Sequence, residues 1–385
     1  MQQSIPVPGS PDESEKLMGI VRSIADFPRM SLDEQNELID ELLAYECYAQ
    51  SGKLLEWRIG SPDSHSTQRL TDYCALMGIQ YRGLEHFEGF ISCALKCVKD
   101  LSLPFSTIRL QIVDAILGPE AFAEQAALFR ALAPVMTDRA QKVLLLSRLA
   151  LITEKKLFRE GQVEPIYKEI LALDPLNIRA LRFYRMWHIQ GAEWIAAAGH
   201  LHTLIKAYRN PHEQHRAAHE LAQIYLYSLN QPERARQILL SHCSESQLDT
   251  RQTLVEALER LGSFDELILC LDEMLGKAVV PKEAAAILLK KGQTLLKLER
   301  FDEAVTELKS CLGHDPKNLL IHEALISAQI GARSPRGVLE ALAALSKCTT
   351  KPENRSRLAA VHKSMSDLFK GHPPERINVT PSIQL

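Results

Sequence analysis

Apolar residues recur along most of the chain at the i, i+3, i+4, i+7 spacing of helices that bury one face. A clear example follows Ser31, which opens a capping box with Glu34 and predicts a helix that runs to about Gln50. Leu38 and Leu42 lie on its inner face. A weaker pattern predicts a short helix over 13–26.

Four further helices are predicted between the polar loop 60–66 and residue 137. Pro104, the pair Gly118-Pro119, and Pro134 separate them. Their predicted ranges are 67–81, 83–100, 106–117 and 120–135. The sequence leaves two interpretations of this region open. It holds either degenerate repeats or a helical cap continuous with a solenoid, or it forms a separate bundle.

In one stretch, residues 285–318, small residues, large apolar residues and a helix-ending proline stand where a hairpin of two helices needs them. Gly292 allows two helices to approach closely because it has no Cβ, and Ala304 occupies the matching slot on the following helix. Phe301 lies at the turn between the helices, and Pro316 ends the second helix since it cannot donate the next hydrogen bond. The stretch resembles one tetratricopeptide repeat (TPR), a hairpin of two helices.

The same period is visible from Gln141 onward. Aligned positions at successive turns lie 34, 38, 32 and 37 residues apart, at Val163, Ala197, Ala235, Leu267 and Ala304. The resemblance implies an all-α fold, a right-handed α-solenoid of TPR-like hairpins with a helical N-terminal region. Lys291, Gln223 and the bulky Leu267 depart from the repeat pattern, so the angles between those hairpins are expected to differ from a regular superhelix.

These patterns divide the chain into five predicted segments. Proline-rich polar stretches predict disordered tails at the two ends, because such a composition buries too little apolar surface. The segments are a tail at 1–12, a helical N-terminal region at 13–137, a TPR-like solenoid at 141–346, a capping helix at 353–370, and a tail at 371–385.

Composition excludes several classes of protein. Hydrophobic residues make up 46% and aromatic residues 6% of the 385 residues, a composition that suits helices packed on helices. The net charge of -3 gives no strong attraction to nucleic acid or anionic membranes. No apolar run is long enough to span a membrane, and the N-terminus lacks the features of a secretory signal. Eight scattered cysteines are typical of a reducing compartment, so a cytoplasmic location is expected.

No complete catalytic or metal-binding set stands out. His212, His215 and His219 share one helix face, but nothing completes a zinc site, so solvated first-turn histidines are expected. Cys93 and Cys97 lie one helical turn apart without a second ligand pair and are interpreted as packing residues. The sequence therefore predicts no enzyme activity, no metal and no cofactor.

In the TPR family the first helix of each hairpin lines a concave groove. The corresponding positions here carry cations around an apolar floor, and farther along the chain Glu220, Glu256 and Glu259 make the groove acidic. The candidate partner-binding residues are Arg148, Lys155, Lys156, Arg179, Arg182, Phe183 and Met186. A protein partner with an acidic segment fits this pattern.

Three functional hypotheses follow. The first is a non-catalytic scaffold that binds a partner segment in the groove. A second is an assembly or regulatory subunit of a multiprotein machine that binds through its convex face or N-terminal region. The third is a helical accessory domain of an enzyme, with chemistry supplied by residues 60–137.

Overall fold

The computed structural model describes residues 18–20, 23–62, 64–242, 248–349 and 352–371. Within these ranges the chain forms helices and turns and no β-strand, so the predicted all-α class is confirmed. The chain divides into two compact units, Met1–Phe183 and Tyr184–Leu385, and each is described by itself. Both predicted tails fall outside the described residues, apart from residue 371.

The N-terminal unit is a succession of short helices, most of which pack against their neighbours in sequence. A 3₁₀ turn at Ile24–Arg29 precedes them. The helices are α1 (Leu32–Ala44), α2 (Tyr48–Gly60), α3 (Ser66–Gly78), α4 (Phe87–Leu101), α5 (Phe105–Thr107, continued in π-helical form over Ile108–Leu117), α6 (Phe122–Leu132), α7 (Arg139–Lys155) and α8 (Glu164–Leu173). Helix α9 (Ile178–Gln190) contains the division between the units.

The capping box at Ser31 and Glu34 forms as predicted, but the helix that it opens is shorter than expected. Helix α1 ends at Ala44 instead of near Gln50, because Glu46 adopts a left-handed φ of 55°. The amide of Cys47 then donates to the carbonyl of Leu42 over 2.8 Å and closes the turn. The chain reverses here and α2 packs back on α1. No glycine marks this turn, so it could not be predicted from residue type.

A buried ion pair joins the first three helices. Arg58 of α2 donates from Nε to Asp72 Oδ2 over 2.8 Å and from Nη2 to Asp72 Oδ1 over 2.5 Å. Its Nη1 donates to Asn36 Oδ1 of α1 over 2.9 Å. Both charged side chains are almost inaccessible to water. Because a buried charge without its partner is costly, this cluster fixes the mutual positions of α1, α2 and α3.

The C-terminal unit is a run of helical hairpins in which each helix packs on the next. First helices of successive hairpins also lie side by side, α11 against α13 and α15 against α17. The helices are α10 (Trp194–Ala207), α11 (Pro211–Gln223, followed by a π-helical turn, Ile224–Ser228), α12 (Pro232–His242), α13 (Leu248–Leu261), α14 (Phe264–Lys277), α15 (Pro281–Lys297), α16 (Phe301–His314), α17 (Leu319–Gly331), α18 (Pro335–Cys348) and α19 (Pro352–Gly371).

Burial supports the register that the sequence alignment assumes. Five aligned positions are each 0% exposed: Val163, Ala197, Ala235, Leu267 and Ala304. A shift by one residue would turn a helical position by about 100° away from its packing partner. Leu267 is as buried as the alanines, so hairpin α13–α14 accommodates the larger side chain. The predicted domain boundaries and the right-handed superhelix stay predictions.

Glycines determine how closely α15, α16 and α17 pack. A Cβ added to Gly292 of α15 would lie 2.6 Å from Leu308 of α16, too close for any real side chain. A Cβ on Gly331 of α17 would lie 2.2 Å from the ring of Phe301. Phe301 therefore packs against the first helix of the following hairpin, in addition to its place at the turn of its own.

We expect Gly292→Ala to destabilise the protein by about 1 to 3 kcal/mol through overpacking against Leu308. Gly313 of α16 is the matched control, because an added Cβ there meets nothing within 4 Å. Gly313→Ala should be neutral or stabilise by up to about 1 kcal/mol through helix propensity. Urea unfolding of both variants measures the difference. Equal effects at the two glycines would show that α15 and α16 are not in close contact at Gly292.

Candidate functional site

The predicted partner-binding residues lie on two helices. Helix α7 and the residue after it carry Arg148, Lys155 and Lys156. Helix α9 carries Arg179, Arg182, Phe183 and Met186. Arg148 and Phe183 are half-buried, and the other five are exposed. Ile152, which the sequence places on the same groove face, is buried in the core, so the apolar floor expected on α7 is absent there.

The two lysines at the C-terminal end of α7 contact neighbouring side chains. Lys155 Nζ lies 2.6 Å from Glu154 Oε1. Lys156 Nζ lies 5.0 Å from the ring centroid of Phe122, in a cation–π contact with α6. Both lysines therefore have local roles.

An aromatic pair lies beside the arginines of α9. The rings of Tyr167 and Phe183 are 4.6 Å apart between centroids, and the Tyr167 hydroxyl donates to Glu154 Oε2 over 3.0 Å. Burial and the charge of Glu154 raise the pKa of Tyr167, while nearby Arg179 acts in the opposite direction. Exposed Arg179 and Arg182 thus border a surface whose apolar part is Phe183. Met186, on the C-terminal unit's side of the division, is exposed.

The predicted acidic part of the groove is corrected by the structure, because its carboxylates are paired across helices. Glu220 accepts a hydrogen bond from Arg185 Nη1 over 2.9 Å. Glu259 accepts from Lys290 and Lys297 over 2.5 and 2.9 Å, and these hydrogen bonds lower its pKa. Glu256 accepts from the Tyr227 hydroxyl and from Arg260 Nη2, both over 2.7 Å. These carboxylates hold neighbouring helices together and leave little free negative charge.

The prediction of solvated histidines on α11 is wrong for two of the three. His215 is buried, and its Nε2 lies 3.0 Å from the Thr250 hydroxyl on α13. His219 is half-buried and lies 3.0 Å from the Thr253 hydroxyl. Only His212 is exposed. Helix α13 packs directly over this face of α11, so the pattern that resembled a ligand set is a row of contacts between first helices.

A stack of three rings inside hairpin α9–α10 was not foreseen. His188 and His200 are parallel within 7° at a centroid distance of 5.2 Å, and Tyr184 stacks on both. His188 Nδ1 lies 2.6 Å from Glu193 Oε2. Burial and the neighbouring His188 lower the pKa of His200. The stack therefore favours a neutral imidazole at His200.

The cysteine pair considered as a metal or redox site lies at buried packing positions. In the part of the chain that the structure describes, no group of three or more His, Cys, Asp or Glu side chains could hold a metal ion. Cys93 and Cys97 are buried, and burial raises the pKa of both thiols to about 12. Cys243 lies outside the described residues. No described helix is long and apolar enough to cross a membrane.

Comparisons with known proteins concern the fold. No protein-family profile matches the chain, and no curated protein matches it. Similar solved structures include yeast Tom70, 11% identical over 87% of this chain and 95% of that chain, with a TM-score of 0.33. The TPR2AB domain of yeast Sti1 in its complex with pHSP90 is 12% identical over 78% of this chain and 99% of that chain, with a TM-score of 0.27.

A tetratricopeptide repeat protein from Parabacteroides merdae is 10% identical over 78% of this chain and 100% of that chain, also with a TM-score of 0.27. Identities this low concern the fold alone, so the fold class rests on the helix pairing and burial described above. The chain has a TPR-like, all-α helical repeat fold. No family membership follows from these comparisons.

We expect acid to destabilise the folded protein through three half-buried histidines. Burial holds the pKa of His200, His202 and His219 below the unfolded value of about 6.5. The unfolded chain therefore binds more protons, so stability is full above about pH 6.5 and is lost as pH falls through the lowered folded values. Urea midpoints measured from about pH 7.5 to about pH 5.5 should fall.

The variant His200→Phe tests the contribution of the ring stack. It keeps an aromatic ring beside Tyr184 and His188 but cannot take a proton, so its stability should fall less with acid than that of the wild type. His212→Phe is the matched control because His212 is exposed. A pH dependence that is the same in all three proteins would contradict this account.

Proposed function

We propose that the protein is a non-catalytic interaction scaffold that binds a segment of a partner protein. The observation that carries the proposal is the exposed pair Arg179 and Arg182 beside the Tyr167–Phe183 ring pair. Arginine can hold a carboxylate through two parallel hydrogen bonds, and the neighbouring aromatic surface offers apolar burial. The partner segment is therefore acidic at one end and carries an apolar residue next to it.

The architecture supports an interaction role. Each helix of the C-terminal unit from α10 onward packs on its neighbours in sequence, so this unit presents long rows of side chains. Ion pairs and hydrogen bonds between first helices stiffen these rows, which reduces the entropy that a partner must overcome to bind. A cytoplasmic location is part of the proposal and is supported by seven free cysteines among the described residues.

A second candidate function, an assembly or regulatory subunit that binds through the second helices, is favoured by one observation. Leu240 of α12 and Leu269 of α14 are exposed large apolar side chains on second helices. Their surroundings are analysed below. The two functions are compatible because the two surfaces lie on different helices.

The double variant Arg179→Glu and Arg182→Glu should weaken binding of the acidic partner about tenfold or more, roughly 1.4 kcal/mol. Affinity capture from the source cell with both proteins, followed by mass spectrometry, identifies partners that depend on the two arginines. Titration of the purified partner then gives the affinity. Binding should also weaken with added salt, because partly exposed ion pairs are screened.

The matched control reverses two exposed cations elsewhere, Arg216→Glu and Arg336→Glu. Its partner affinity should stay within about twofold of the wild type, and thermal melting should verify that both double variants are folded. A partner that binds the two double variants equally well, with no dependence on salt, would refute binding at Arg179 and Arg182.

A further inference from the structure

Leu269 occupies an outward position that is glycine or polar in the other hairpins of the C-terminal unit. It lies two residues after buried Leu267. On the other second helices, the exposed positions two residues after buried Ala197, Ala235, Ala304 and Val338 are Gly199, Gln237, Thr306 and Glu340. Leu269 is 65% exposed. A leucine at this place adds nothing to the core, since the positions that pack on α13 are filled by its buried neighbours.

Leu269 belongs to an apolar cleft and is not an isolated surface leucine. A cleft of about 220 Å³ lies among α12, α13 and α14, with Leu240, 59% exposed, on the opposite rim. Its walls include Leu254 and Leu258 of α13, and the charged side chains of Arg251, Glu266 and Glu273 also line it. The volume is sufficient for one apolar side chain of an incoming segment, and two exposed leucines on facing helices extend the apolar surface at its mouth.

Carboxylates occupy all four helical neighbours of Leu269. Residues three and four positions away share a face of an α-helix, and here they are Asp265, Glu266, Asp272 and Glu273. The exposed leucine therefore lies at the centre of a ring of acids on α14. Nothing in the core of hairpin α13–α14 requires this ring, because all four side chains point to the surface.

The cations that balance this ring lie deeper than the carboxylates. Lys291, with a side chain 12% exposed, contacts Asp272 over 2.5 Å. Arg251, with a side chain 7% exposed, lies 3.6 Å from Glu273. Arg236 and Arg300, near Glu266 and Asp265, are likewise less exposed than those acids. Each carboxylate is paired with one of these cations, yet the outermost polar atoms are carboxylate oxygens, whose remaining lone pairs can accept hydrogen bonds from an incoming lysine or arginine.

We propose that this leucine cleft is a docking site for a helix of a partner protein that carries a leucine-sized anchor flanked by lysine or arginine. The anchor enters the cleft between Leu240 and Leu269, and the basic residues bind the ring of acids on α14. An apolar anchor in a pocket contributes most of the affinity, while charge sets orientation and the rate of encounter. The required partner is opposite in charge to the acidic segment proposed for Arg179 and Arg182.

The test uses two synthetic helical peptides of about 15 residues and the full-length protein. Both peptides carry leucines at i, i+3, i+4, i+7 spacing, with lysine and arginine at the flanking positions in one and glutamate in the other. Fluorescence anisotropy should show the basic peptide binding at least about tenfold more tightly. Leu269→Asp should weaken that binding about tenfold or more, and Asp265→Lys should weaken it in a salt-dependent way.

Thr306→Asp is the matched control, because Thr306 holds the aligned exposed position on α16 and should leave the affinity unchanged. The double variant at Arg179 and Arg182 should also bind the basic peptide normally, which separates this site from the one proposed above. Equal affinity for the two peptides, or binding that Leu269→Asp does not affect, would overturn the proposal. So would sedimentation showing that the wild type self-associates and Leu269→Asp does not, since a second copy would then cover the cleft.

Discussion

Close contact between helices without intervening side chains is the constraint on which the C-terminal unit depends. Gly292 lets α15 approach Leu308 of α16, and Gly331 lets α17 receive the ring of Phe301. Helix α16 is thereby fixed both to its own first helix, α15, and to the first helix of the next hairpin, α17. The directions of these three helices follow from two small residues, and the surfaces that they present to partners follow from those directions.

Polar side chains make a second set of contacts between hairpins, and this set decides which surfaces remain available. Arg185 with Glu220, His219 with Thr253, and Lys290 with Glu259 join successive first helices. Their charges are largely neutralised within the protein. The surfaces proposed for partner binding are the exposed arginines at the start of α9 and the leucines at the cleft on α12 and α14. The first surface suits an acidic segment and the second a basic one.

Much of the fold could be predicted from the sequence, because apolar spacing and the small residues at turns are local signals that report packing directly. The alignment that pairs Ala304 with Ala235 placed both in the core. The same alignment failed at Gln223, which is exposed while Ala222 is buried, because the π-helical turn after α11 adds a residue that fixed spacing cannot anticipate. The partners of His215 and Glu259 could not be predicted either, since a contact across about 30 residues depends on the angle between hairpins.

A double-mutant cycle between Phe301 and Gly331 tests the central claim, that helix α16 is locked to the first helix of the following hairpin. Gly331→Ala should be strongly destabilising in the wild type, because its Cβ would meet the Phe301 ring. In a Phe301→Ala background the same change should cost little, so the coupling free energy from urea unfolding should reach about 1 kcal/mol or more. Additive effects of the two changes would contradict the account, because they would place Phe301 away from α17.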